Sequence, residues 1–179
     1  MTSREMPGRA ATHVPPGGGR TVWLVGDTYT VKLAGEQTGG AFSLSEALVP
    51  AEGGLPPHIH DQEDETFVVL EGELLLEVDG RALAAPVGTV MHVPKGTRHS
   101  YVNVGGTTVR MLFLYTPAGM ERMFGEIGQP AQPGVLPPPN SAEDVAKLAA
   151  VAAKYHFTLL PPETGLVRQP QIARRSRAR

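Results

Sequence analysis

From Thr21 onward the apolar residues fall into short runs, many of them alternating with polar positions, and each run is broken by Gly, Pro, Asp or Asn. Nine such runs read as strands: Thr21 to Val25, Thr28 to Leu33, Ala41 to Val49, Thr66 to Leu70, Glu73 to Val78, Arg81 to Ala85, Thr89 to Val93, Ser100 to Val104 and Thr108 to Tyr115. Strands packed this closely along a chain predict an all-β sandwich or barrel. Asp79-Gly80 between two runs predicts a two-residue hairpin, because both central positions of that turn need positive φ. After Pro117 the period lengthens. Ala118 to Ile127 reads as a short helix, Gln129 to Asn140 as a Pro-rich connector, and Ser141 as the N-cap of a second helix with Glu143 and Asp144 in its first turn. Val145, Leu148, Ala149, Ala152 and Tyr155 give that helix one narrow apolar stripe, which predicts that it lies on another surface. The chain therefore divides into a flexible N-terminal arm (1–20), a β body (21–116), a helical extension packed on it (117–160) and a mobile basic tail (161–179).

Composition narrows the chemistry. With 41% hydrophobic and 19% charged residues a packed core is available, and 21 Gly with 17 Pro among 179 residues suit many turns better than long helices. There is no Cys, so thiolate zinc sites, iron–sulfur clusters, disulfides and thiol nucleophiles are excluded together. Any metal must sit on His and carboxylate. The formal net charge is −2, but Arg168, Arg174, Arg175, Arg177 and Arg179 crowd the end of the chain and leave the rest the more acidic. An acidic body argues against a nucleic-acid partner. No apolar stretch is long enough to span a membrane and no signal-peptide pattern opens the chain, so the expectation is a cytoplasmic protein with no membrane partner. The Gly17–Gly19 run lacks the Lys and Ser/Thr of a phosphate loop, so no nucleotide site is expected.

Candidate chemistry gathers in two clusters. His58 and His60 are two apart, so in an extended segment they share a face and can converge on one ion. Asp61 to Asp64 would bend the chain and return Glu65 at the head of the next strand, and His99 follows a Pro94-Lys95-Gly96 turn. Imidazoles beside a carboxylate suit a divalent first-row metal. Asn103 reads as a polar brace for its ladder, His13 and His156 as residues without partners, and His92 as a packing residue.

These residues resemble the two motifs of the cupin superfamily. Gly53-Gly54, His58, His60, Glu65 and Gly72 match the first motif, and Gly88, Pro94, Gly96, His99 and Asn103 match the second. One position departs: Glu52 stands where the family's leading Gly belongs. The resemblance implies a double-stranded β-helix, the cupin jelly-roll barrel, holding one divalent metal on His58, His60, Glu65 and His99. An ion that keeps positions open for substrate and dioxygen favours Fe, Ni, Mn, Co or Cu, with Zn possible. The HxHx4E spacing and the Pro-rich extension are similar to the quercetin-dioxygenase-like group. That implies a dioxygenase acting on a flavonol or related enolisable aromatic, with Glu65 as both ligand and catalytic base, and a homodimer on family grounds. Phe67, Tyr101, Met111 and Phe113 share inward strand parity and are the candidate substrate pocket. A non-oxidative cyclase or isomerase, and a non-catalytic small-molecule-binding protein, remain the alternatives.

Overall fold

Strand alternation sorts the side chains here: in Asp64–Glu71, Glu65, Phe67 and Val69 are buried while their neighbours are not, and Val109–Thr116 buries Val109, Met111, Phe113 and Tyr115 in the same way. The structure is a computed structural model and describes residues 11–161. In chain order its elements are β1 (Arg20–Leu24), β2 (Asp27–Leu33), α1 (Gly35–Thr38), β3 (Ser43–Val49), β4 (Gly54–His60), β5 (Asp64–Glu71), β6 (Glu73–Val78), β7 (Arg81–Pro86), β8 (Val90–Val93), β9 (His99–Val102), β10 (Val109–Thr116), α2 (Met120–Ile127), β11 (Gln129–Pro130), α3 (Ala142–Ala152) and β12 (Phe157–Leu159). They form two antiparallel sheets, ordered β11-β1-β2-β3-β10-β5-β8 and β12-β4-β9-β6-β7. This is the expected all-β jelly roll with a short helical C-terminal extension. Its core lies between the two inner faces, where burial of Phe67, Val69, Leu74, Leu76, Met111 and Phe113 removes large apolar surfaces from water.

Local chemistry explains most turns. Asp79 and Gly80 take φ of 47° and 74° between β6 and β7, as the hairpin requires. Glu52, the departure from the family pattern, sits at φ 66°, a left-handed conformation that favours glycine. Gly54 has φ 140°, and a Cβ there would lie 2.2 Å from the Tyr101 carbonyl oxygen, so only glycine lets β4 and β9 close up at this point.

The extension differs from the sequence expectation in one respect that matters for the site. It is not purely helical: Gln129–Pro130 in the connector adds β11 beside β1, and Phe157–Leu159 adds β12 beside β4. Two prolines and a glycine pair hid β4 itself from the strand pattern, although it carries His58 and His60. Residues 1–10 of the predicted arm and 162–179 of the predicted tail lie outside the described residues. Among the described residues, no helix is long and apolar enough to cross a membrane.

α3 is held thinly, burying Leu148 and Ala152 and leaving most of its surface exposed. Its N-terminus carries a full capping box: the Asp144 backbone N–H donates to Ser141 Oγ at 3.2 Å, and the Ser141 N–H donates to the Asp144 carboxylate at 3.1 Å. Ser141→Ala is expected to cost about 1 kcal/mol, read as a lower urea midpoint with an unchanged m-value. No change in midpoint would show that α3 does not contribute to the cooperative unit.

Candidate metal centre

Both sheets contribute to the site. β4 supplies His58 and His60, and its neighbour β9 supplies His99 directly opposite His58. Glu65 comes from β5 in the other sheet, so its carboxylate bridges the interior of the barrel. His58, His60, Glu65 and His99 are 1%, 3%, 2% and 2% exposed, and one ligand atom from each can be chosen so that all lie within 4.8 Å of one another. Glu65 Oε2 is 2.8 Å from His99 Nε2, 3.2 Å from His60 Nε2 and 4.0 Å from His58 Nε2.

The ring orientations point to a cation. His58 Nδ1 lies 2.9 Å from the Pro56 carbonyl and His99 Nδ1 lies 3.0 Å from the Thr97 carbonyl. A carbonyl only accepts, so both rings carry N–H at Nδ1, and each neutral ring turns an Nε2 lone pair inward. A lone pair 2.8 Å from a carboxylate oxygen needs positive charge, supplied by a proton or a metal ion. His60 makes no well-oriented hydrogen bond at either ring nitrogen, its 3.2 Å approach to Glu65 Oε2 being a charge contact only. A buried imidazole left in this state costs on the order of 1–3 kcal/mol unless a ligand satisfies it. The donor set therefore fits a divalent ion.

Without an ion the side chains compensate one another. Burial alone would raise the Glu65 carboxyl, but the His60 and His99 rings outweigh it and hold the group far below the usual carboxylate range. Burial alone would lower His99, and the Glu65 hydrogen bond and charge instead raise it. His58 is lowered by burial and by the two neighbouring imidazoles. Loading a divalent ion at a hundred times its Kd is expected to raise the unfolding free energy by about 2.7 kcal/mol. Thermal melts before and after chelation read this out, and superimposable melts would count against an ion at this site.

Beside the ligands is a cavity of about 20 Å³, room for about one water. His60, Glu65, Tyr29, Tyr101, Phe113 and Tyr115 border it from the barrel, while Met120, Met123, Phe124, Leu148 and Phe157 close it from the extension. Of the four predicted pocket residues, Tyr101 and Phe113 line this space. Phe67 and Met111 do not: Phe67 packs behind it, 5.3 Å from the Phe113 ring, and Met111 is fully buried one pair further along β10, opposite Val69. Inward parity selects the right face of a strand but not the right height in the barrel.

Asn103 braces its loop, donating from Nδ2 to the Val49, Pro50 and Thr107 carbonyls and accepting from the Gly105 N–H. His92 is exposed and pairs with Thr66 on the outer face rather than packing inside. His156 takes φ 50° at the turn into β12. Phe157, which sequence reasoning passed over, pairs with His60 across the β12–β4 ladder and lies 5.0 Å from the His58 ring and 5.2 Å from the His60 ring.

Residues 45–115 match the cupin domain family. The chain carries a cupin domain over this span. This cupin is 28% identical over 134 residues to quercetin 2,3-dioxygenase of Bacillus subtilis, a match covering 74% of the present chain and 40% of that enzyme. The chain thus spans well under half of that relative's length. Among solved structures it resembles a predicted oxalate decarboxylase of Thermotoga maritima (TM-score 0.56, 19% identity, 59% of this chain and 99% of the other). It also resembles an RmlC-like cupin of Shewanella frigidimarina (TM-score 0.54, 16% identity, 64% and 98%). At these identities the structural likeness concerns the fold.

Proposed function

We propose that this cupin is a metal-dependent dioxygenase of the quercetinase-like type, acting on a flavonol or a related enolisable aromatic. The observation that carries the reading is the convergence of three buried imidazoles on one carboxylate oxygen, in a chain similar to quercetin 2,3-dioxygenase over 134 residues. His58, His60, Glu65 and His99 would hold the ion, which supplies Lewis acidity to a bound substrate oxygen and, if redox-active, a route for electrons.

The protein's own groups perform the remaining tasks. Glu65 would be both ligand and base, its carboxylate being the group placed to take the proton of a substrate hydroxyl within reach of Oε2. Phe113, Met120, Met123, Phe124 and Phe157 present an apolar lining suited to an aromatic ring. A site for a flavonol needs roughly 300 Å³ or more, against the 20 Å³ enclosed here. Entry therefore requires α2, α3 or β12 to move away from the barrel mouth.

The test is anaerobic incubation of the metal-loaded protein with quercetin, followed by admission of oxygen. A shifted flavonol spectrum that bleaches with stoichiometric oxygen uptake is expected. Binding without oxygen uptake would favour the cyclase, isomerase or binding alternatives, and an unchanged spectrum would remove the flavonol assignment.

A further inference from the structure

Asp27 is a buried acid that the proposed chemistry leaves unused. It opens β2, is fully buried, and its Oδ2 lies 3.2 Å from the Tyr101 hydroxyl and 3.4 Å from the Tyr29 hydroxyl. The two hydroxyls are 2.7 Å apart. Both tyrosines line the cavity that Glu65 and His60 border, whereas Asp27 does not. The residues around the cavity thus include two of the proposed ligands, His60 and Glu65, and a tyrosine pair backed by a carboxyl.

Counting protons shows what this pair can do. With Asp27 ionised, the three oxygens share two hydroxyl protons. The 2.7 Å contact takes one and the carboxylate takes the other, so the pair can only accept a hydrogen bond from the cavity. With Asp27 protonated a third proton enters the triangle, and one tyrosine hydroxyl becomes free to donate.

We propose that Tyr29 and Tyr101 form a second ligand-binding end of the cavity, which holds a further oxygen of the substrate while Asp27 sets whether that end donates or accepts. The ligand class is a molecule with two oxygens separated by a short unsaturated segment, such as a hydroxy-ketone, with one oxygen at each end. The inference rests on the proposed function for the use of this cavity and deepens it, but it needs no oxidative step. Asp27 is a positioning residue here, acting through the two hydroxyls.

The surroundings of Asp27 fit this role. Burial pushes its carboxyl up to about 7, with the hydrogen bonds from Tyr101 and Tyr29 opposing that rise. Tyr29 on its own strand and Tyr101 on β9 are the titratable groups that face it. β4 presents backbone, with Asp27 Oδ1 so close to Gly53 that a Cβ there would stand 2.7 Å away, and the paired residue on β1 is Leu24. Glu65 acts on Tyr29 through its charge alone.

Raman spectra of the full-length protein test the inference without any ligand, because the tyrosine Fermi doublet reports whether a hydroxyl donates or accepts. Between about pH 5 and about pH 9 the wild type is expected to show a one-proton step centred near 7. Asp27→Asn is expected to lose the step, and Tyr101→Phe, which keeps Asp27 but removes one hydrogen bond to its carboxylate, to move it upward. A flat wild-type profile, or the same step in Asp27→Asn, overturns the inference; should Asp27→Asn fail to fold, an unmoved step in Tyr101→Phe does so.

Anaerobic quercetin titrations of the metal-loaded wild type and Asp27→Asn supply the ligand arm. The ratio of their affinities is expected to change about tenfold per pH unit above the step, as linkage to one proton requires. A pH-independent ratio overturns the inference and leaves the flavonol assignment intact. Absence of quercetin binding beside an intact Raman step instead removes the flavonol assignment and supports the tyrosine switch.

Discussion

Glu65→Gln is expected to lower quercetin turnover by about 10²- to 10⁴-fold, the range typical of losing a positioned general base. Gln keeps the shape and one carbonyl oxygen, yet it cannot take a proton and brings no negative charge to the three imidazoles. The oxygen that lies 2.8 Å from His99 Nε2 and 3.2 Å from His60 Nε2 is replaced by a neutral group. Metal content should fall less than turnover, because His58, His60 and His99 remain, and anaerobic quercetin binding should persist. Oxygen uptake normalised to bound metal is the measurement. A variant retaining a tenth or more of wild-type turnover would show that the base lies elsewhere.

The second large effect concerns stability rather than catalysis. Asp27 has its carboxyl raised from 3.8 to about 7 on folding, so the folded state prefers the neutral acid. Its stabilising contribution is fully present below the unfolded-state value and is lost as the pH rises through about 7. Asp27→Asn does not titrate and escapes this loss. The difference in unfolding free energy between variant and wild type should therefore move by about 4 kcal/mol in the variant's favour between about pH 4 and about pH 8. The fixed cost of exchanging a carboxyl for an amide cancels in that difference. Urea unfolding at a series of pH values reads it, and a constant offset across the series would mean that Asp27 is ionised throughout.

The two groups behind these predictions differ in how far the chain reveals them. Glu65 was legible because its partners follow short rules: His58 and His60 sit two apart on a strand, and Pro94 and Gly96 make the turn that delivers His99. Strand parity also located Tyr101 and Phe113 on the inner face. Asp27 carries no such mark. It follows Gly26, where Asp reads as an ordinary turn residue, and its burial depends on Tyr101, 74 residues away, and on the backbone at Gly53 and Gly54. β12 was hidden for a different reason. Three residues are too few to show a period, and Phe157–Leu159 is a strand because β4 offers it an open edge. Alternation groups Phe67 and Met111 with the pocket residues because it tells inside from outside but contains nothing about distance from the mouth.

The order in which the chain leaves the ribosome gives the β12–β4 pairing a consequence for maturation. His58, His60, Glu65 and His99 have all emerged, and the strands that carry them can pair, well before Phe157 is synthesised. During that interval the nascent barrel is open at its mouth, and an ion can reach the imidazoles without displacing any side chain of the extension. Once Phe157 docks against His58 and His60, its ring stands 5.0 Å and 5.2 Å from theirs and covers that approach to them. On the proposed reading of the site, metal supply during translation, rather than afterwards, would then decide which ion the four residues hold.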